Sequence, residues 1–248
     1  MFKLFPQKKK TVCVASFGDN IFYTVRSIRD LSDEEIIIIK DKSCHYQFDR
    51  AICKVLPFGM ITHPIAYLQS IYHLATATTI LVDNYFGFLA VTDFKKGTTC
   101  IQLWHAAGAI KKFGLQNPHN KSRTPKAIQR FQKVYNRFDY TIVGSENMVN
   151  IFKESFNISE DSILRTGIPR TDIFYDLNEK RRIYNQMKSL YAQIQNKKVI
   201  LYAPTFRGHR LNHPELAFDL KRLYEALSDD YILMIKQHPS VSFELNEK

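Results

Sequence analysis

The chain has a single tryptophan, nine glycines and nine prolines in 248 residues, and no Gly-, Pro- or Ser-rich stretch that would read as a linker or low-complexity tail. No apolar run approaches the ~18 residues of a membrane-spanning helix, so a soluble or peripheral protein is expected. The start, MFKLFPQKKK, has no long apolar stretch and no small-residue cleavage site, which argues against a secretory signal and sets cytoplasm as the expectation. Cys13, Cys44, Cys53 and Cys100 lack the short paired spacings of a zinc site, and Cys13 and Cys100 fall inside apolar runs, so buried free thiols are expected. There is no Gly-x-x-x-x-Gly-Lys-Ser/Thr phosphate loop, no Gly-x-Gly-x-x-Gly fingerprint and no Asp-x-Asp pair for a divalent metal. The chemistry expected is therefore metal-independent and without a cofactor.

Acidic residues are also missing from one long segment. Between Phe94 and Phe138 there is no Asp or Glu, against ten basic residues: Lys95, Lys96, Lys111, Lys112, Lys121, Arg123, Lys126, Arg130, Lys133 and Arg137. With 35 Lys+Arg against 24 Asp+Glu overall, the net charge of +11 favours an anionic partner. No recognition-helix, RRM or KH signature accompanies the charge, which argues against a nucleic-acid module.

What is present is a series of apolar, β-branched runs: TVCVASF (11–17), EIIIIK (35–40), TILVDN (79–84), TTCIQLW (98–104), YTIVG (140–144), VILYAPTF (199–206) and YILMIKQHP (231–239). Helical periodicity separates several of them, as in Ile183, Met187, Leu190, Tyr191 and Ile194, then Leu216, Leu220, Leu223 and Leu227. Alternating strands and helices imply α/β architecture with a mostly parallel sheet. The polar stretch FYDLNEKRR (174–182) follows a Gly-x-Pro turn and sets an expected boundary between domains 1–175 and 176–248. The second part holds only two helix–strand units, too few to bury both faces of a sheet, so it reads as incomplete. A helix over about 124–138 carries Ala127, Phe131, Val134 and Phe138 on one stripe beside Lys126, Arg130, Lys133 and Arg137. That pattern fits a core-packed helix with a solvated basic edge, or a helix lying on an anionic membrane surface.

In open α/β sheets, ligands bind outside the carboxyl ends of strands. IQLWHAAGAIKKFG (101–114) brings His105 to such an end; small residues leave room for a ligand, and Lys111 and Lys112 follow within an expected turn or two of helix. A histidine there can serve as general base toward a hydroxyl, although a lone histidine closing a strand more often only packs. KQHPS brings His238 to a second strand end, so two histidines could face each other between two α/β domains. In ILYAPTFRG, Thr205 and Arg207 leave a strand together, a pair suited to phosphate; in TGIPRTD, a constrained turn presents Arg170 beside an acid, which also fits a hinge with a local ion pair.

Taken together and in this order, QLWHAAGAIKKFG, TGIPRTD, ILYAPTFRG and IKQHPS resemble the CDP-glycerol glycerophosphotransferase family of bacterial wall teichoic acid synthesis. Ala106 stands where the family's Trp-His-Gly motif has glycine. The resemblance implies a GT-B-like fold of two Rossmann-like domains with mostly parallel sheets: a membrane-associating acceptor domain and a C-terminal CDP-glycerol domain. It implies transfer of glycerol phosphate from CDP-glycerol to a polyprenyl-diphosphate-linked ManNAc-GlcNAc disaccharide, with release of CMP, at the cytoplasmic face of the membrane. His105 matches the family's candidate base and His238 its second histidine, at the donor diphosphate. Arg207 with Thr205 matches the donor-phosphate contact, Arg170 lies in the Pro-Arg motif, and Lys111 is the lysine that follows the histidine. The 94–138 block would meet an anionic membrane. Family members continue past His-Pro with an Asp-Tyr-Ser-Ser-like motif, whereas this chain stops nine residues after Pro239, so a truncated copy is expected. The alternatives are a glycerophosphate polymerase, a nucleotide-sugar GT-B glycosyltransferase and an inactive remnant.

Overall fold

The computed structural model describes residues 2–194, 196–204 and 218–236. It divides into two compact units, Met1–Tyr175 and Asp176–Lys248. In the first, the order is β1 (Lys8–Ala15), α1 (Asp19–Leu31), β2 (Glu35–Lys40), β3 (Lys54–Pro57), α2 (Pro64–Thr76), β4 (Ala77–Val82), β5 (Thr99–Gln102), α3 (Pro125–Tyr135), β6 (Tyr140–Ile142), α4 (Glu146–Phe156) and β7 (Ile163–Leu164). The strands form one seven-stranded sheet in the order β3-β2-β1-β4-β5-β6-β7, parallel throughout. The order reverses between β1 and β4, which makes that pair the topological switch point.

The pleat of β1 explains how both faces become core. Val12 and Val14 join Ile37, Ile39, Ile80 and Val82 on one face, under Leu74 of α2, Val134 of α3 and Phe152 and Phe156 of α4. Cys13 and Ala15 join Ile36, Ile38 and Leu81 on the other, under Ile21 and Val25 of α1. Each such Val or Ile, fully removed from water, stabilises the fold by roughly 1.5–3 kcal/mol. All four cysteines are buried and free.

Local signals set the helix ends. Thr124 caps α3, its hydroxyl accepting from the Ala127 N–H, and Pro125 follows at the first helical position. Ser145 caps α4 in the same way, and Asn157, at φ 54°, stops it in the left-handed conformation. The apolar stripe of α3 is packed into the core, with Val134 buried and Phe138 buried just beyond the helix, while Lys126, Arg130 and Lys133 are exposed. β3 and β7 are additions to the strands expected from sequence, being four and two residues long. A lysine lies fully inside: Lys10 of β1 donates to His73 Nδ1 (3.0 Å) and to Thr76 Oγ1 (2.8 Å). Because an ammonium only donates, the Nδ1 of His73 is the acceptor, and burial with Lys10 nearby pushes this imidazole down to about 4.

The second unit contains α5 (Leu177–Leu190), β8 (Lys198–Tyr202), α6 (Leu220–Leu227) and β9 (Tyr231–Ile235). Asp176 and Asp219 cap its two helices. β8 and β9 pair in parallel, Lys198 opposite Tyr231 through Tyr202 opposite Ile235. None of its described residues is buried. Among the described residues of the chain, no helix is long and apolar enough to cross a membrane.

Candidate active site

The site lies at the carboxyl ends of β1, β4 and β5, which the register brings level: Val14 pairs with Val82, and Val82 with Gln102. Three short segments leave these ends: Ser16–Gly18, Asp83–Asn84 and Leu103–His105. Asp83 is fully buried. Its Oδ1 accepts the Ser16 N–H at 2.9 Å, and its Oδ2 accepts those of Phe17 at 3.0 Å and Gly18 at 2.7 Å. Burial pushes this carboxyl up from the ordinary carboxylate range, and the N–H donors of Ser16, Gly18 and Phe17 pull it back; three converging donors match the ionised form. Gly18 is required in this loop. Its φ is 94°, and a Cβ there would lie 2.6 Å from the Tyr46 Cβ.

The Trp104–His105 turn is pinned from several sides. Trp104 has the left-handed φ of 55°, its N–H donates to Gln102 Oε1 at 2.8 Å, and its carbonyl accepts from Asn20 Nδ2 at 2.9 Å. Its ring stacks on Phe113 (4.9 Å between centroids) and meets Phe156 edge-on (5.2 Å). The lone tryptophan therefore anchors the loop in the core, and His105 is what the loop presents. The His105 Nδ1 lies 3.0 Å from the Asp83 carbonyl oxygen. A carbonyl only accepts, so Nδ1 carries the hydrogen, and in the neutral ring Nε2 keeps its lone pair. The Phe17 ring lies over the imidazole at 3.9 Å, within 9° of parallel. Burial holds the imidazole below its ordinary value of 6.5; the Asp83 carbonyl and Asp19 raise it, and Arg170 lowers it. A neutral imidazole of fixed tautomer, with Nε2 unbonded among the described residues, can take a proton from a hydroxyl.

Arg170 reaches the same place from the single-turn 3₁₀ segment Pro169–Phe174. Its backbone N–H donates to Asn20 Oδ1 (3.1 Å), and its guanidinium pairs with Asp19 Oδ2 at 2.6 Å. The sequence places a helix after His105. The structure has an irregular loop there instead, with Lys111 and Lys112 exposed on it. The loop is tied down at Trp104 and again at Gly114, whose φ is 57° and where a Cβ would collide with the Ser155 carbonyl. Thr205, Arg207 and His238 lie outside the described residues. Sequence reasoning missed Phe17, Asn20, Asp83, Asn84 and Gln102. The available signal was a polar pair closing an apolar run, Asp83-Asn84 in TILVDN and Asp19-Asn20 after ASFG. Among the described residues no cluster of His, Cys, Asp and Glu could hold a metal ion.

The fold and this strand-end site define an α/β, GT-B-like protein. Its sequence matches the family CDP-Glycerol:Poly(glycerophosphate) glycerophosphotransferase over residues 4–248, and the chain belongs to that family. It is 42% identical over 186 residues to the teichoic acid glycerol-phosphate primase of Bacillus subtilis (strain 168), covering 75% of this chain and 47% of that protein. The corresponding primase of Staphylococcus aureus (strain NCTC 8325 / PS 47) is 34% identical over 235 residues, covering 94% of this chain and 61% of that protein. In fold, the chain is similar to a variant of the wall teichoic acid polymerase TagF soaked with CDPG, with a TM-score of 0.78 at 22% identity over 96% of this chain and 59% of the other. The chain thus spans about half the length of the curated relatives it matches.

Proposed function

We infer that this chain carries the acceptor-activating part of a CDP-glycerol glycerophosphotransferase of wall teichoic acid synthesis, acting as a glycerophosphate primase. The acceptor is a polyprenyl-diphosphate-linked ManNAc-GlcNAc disaccharide, and the donor is CDP-glycerol. His105 Nε2 takes the proton of the acceptor hydroxyl while its oxygen attacks the glycerol-bearing phosphorus. The bond from that phosphorus to the bridging oxygen breaks, and CMP leaves with the electron pair. Phosphoryl transfer of this kind depends on positioning and positive charge, which Arg170, Lys111, Arg207 with Thr205, and His238 would supply. Domain 1–175 takes the acceptor and 176–248 forms the first part of the donor domain. The basic segment 94–138 meets anionic lipid at the cytoplasmic face of the membrane, where the carrier's diphosphate lies.

The observation that carries this reading is His105, buried and held through Nδ1 by the Asp83 carbonyl at the switch point of the sheet. The family match over 4–248 and the two primases support the choice of donor and reaction. The test is CMP release with lipid-linked disaccharide as acceptor and either CDP-glycerol or UDP-sugars as donor. Acceptor-dependent release from CDP-glycerol alone is expected. Turnover of a UDP-sugar would move the protein to the glycosyltransferases, and no turnover by a folded chain would mark an inactive remnant.

A further inference from the structure

Asp83 touches the candidate base in two ways. Its main-chain carbonyl accepts the Nδ1–H of His105 (3.0 Å), while its carboxylate gathers the backbone N–H groups of Ser16, Phe17 and Gly18 between 2.7 and 3.0 Å. Phe17, whose N–H the carboxylate holds, lays its ring parallel to the imidazole at 3.9 Å. Asn84 closes the same arrangement from the next position, its Nδ2 donating to the Ser16 hydroxyl at 2.9 Å. One residue thus fixes the ring's tautomer through its main chain and the ring's covering wall through its side chain. A carboxylate used only to fold the β1–α1 loop would not need its own carbonyl on the histidine.

We propose that Asp83 is the positioning residue for His105: it keeps the hydrogen on Nδ1 and Phe17 over the ring, so that Nε2 is presented to the acceptor hydroxyl as a lone pair. The inference rests on the reading of His105 as the base and adds the residue through which the fold prepares it. The charged groups facing the imidazole are Asp19 at the start of α1 and Arg170, while Asp83 acts on it through its main-chain carbonyl. Asp19 and Arg170 are paired with each other at 2.6 Å, so they offset one another near the ring, and the carbonyl and the stacked wall are left to decide its state.

The test is nitrogen-15 NMR of His105 in the full chain, following the tautomer and the titration midpoint, with CMP release measured in parallel. Asp83→Asn is nearly isosteric, but it offers one acceptor oxygen and two N–H donors to a cradle of three donors, so the Ser16–Gly18 loop must shift. The unsubstituted chain is expected to show Nδ1–H and a midpoint below 6.5. In Asp83→Asn the main-chain carbonyl of residue 83 keeps the hydrogen on Nδ1, and the midpoint rises by about half a unit or more as the Phe17 wall shifts and the ring meets water. Phe17→Ala raises the midpoint and keeps Nδ1–H. Asp139→Asn removes another carboxylate that accepts a strand N–H, that of Cys100 at 2.7 Å, and moves neither reading. An Asp83→Asn protein that folds and keeps the original midpoint overturns the proposal, as does an equal change in Asp139→Asn. Should Asp83→Asn fail to fold, Phe17→Ala decides: a rise supports the proposal and an unchanged midpoint overturns it. Absence of CMP release from the unsubstituted chain would count against the transferase reading while leaving the NMR signature readable.

Discussion

The two units are built from the same strand–helix grammar and end up in different physical states. In residues 2–175 the sheet is covered on both faces, by α1 on one side and α2, α3 and α4 on the other, and Val12, Val14, Ile37, Ile38 and Ile80 are all at most 0% exposed. The described part of 176–248 holds two parallel strands and two helices, α5 and α6, with no buried residue among them. Val199 and Leu201 remain 45% and 63% exposed, and a cavity of about 470 Å³ opens among Ile200, Leu223, Leu227 and Ile232. The comparison teaches that periodicity alone does not make a core: a parallel strand needs a covering layer on each face before its apolar run becomes stability. In the first unit the covered sheet holds a loop residue such as Trp104 at a left-handed φ and aims the histidine that follows it.

The largest expected effect of this difference is in amide hydrogen exchange. Amides of β1 and β4 should be protected at least about 1,000-fold more than those of β8 and β9, because opening the first unit requires disrupting its core. Comparable protection in both sheets would break the comparison. Next in size, Phe152→Ala, which empties a buried site between α4 and the sheet, should cost about 3–5 kcal/mol in urea unfolding, whereas Leu201→Ala should stay within about 0.5 kcal/mol. Equal costs would show that β8 is far better buried than its exposure indicates.

A smaller effect comes from His73, packed against Lys10 in the first unit. Its native value of about 4 lies below the ordinary 6.5, so as pH falls the unfolded chain takes the proton first. Stability of the first unit is therefore complete above about 6.5 and declines toward pH 4, by a total on the order of 3 kcal/mol. His73→Gln should flatten that slope in urea titrations followed across this range. An unchanged slope would place the acid sensitivity elsewhere.

Much of the first unit was legible in sequence because β1, β2, β4 and β5 are continuous apolar runs, which is what strands covered on both faces require. β3 was not, since Lys54–Pro57 is four residues ending in proline, too short to show a period. The loop after His105 reads as helical because Ala and Lys are good helix formers, while the contacts that shape it come from a distance: Phe113 against Trp104 and Gly114 against Ser155. His105 and Arg170 stood out as polar residues at the ends of patterned segments, and the structure brings both to the neighbourhood of Asn20 and Asp19. The web around them was illegible for a topological reason. Asp83 meets Ser16 only because β4 crosses to lie beside β1, and Asn20 meets Trp104 only because β5 follows it there.

The most direct test of His105 as a neutral base is the pH dependence of kcat/KM for acceptor-dependent CMP release, in the unsubstituted chain and in His105→Ala. The rate should rise with pH through one midpoint below 6.5, since the imidazole must be unprotonated and burial favours that form. In His105→Ala that limb should vanish and the rate fall about 100-fold or more. A limb centred at or above 6.5, or one that survives the substitution, would contradict the account.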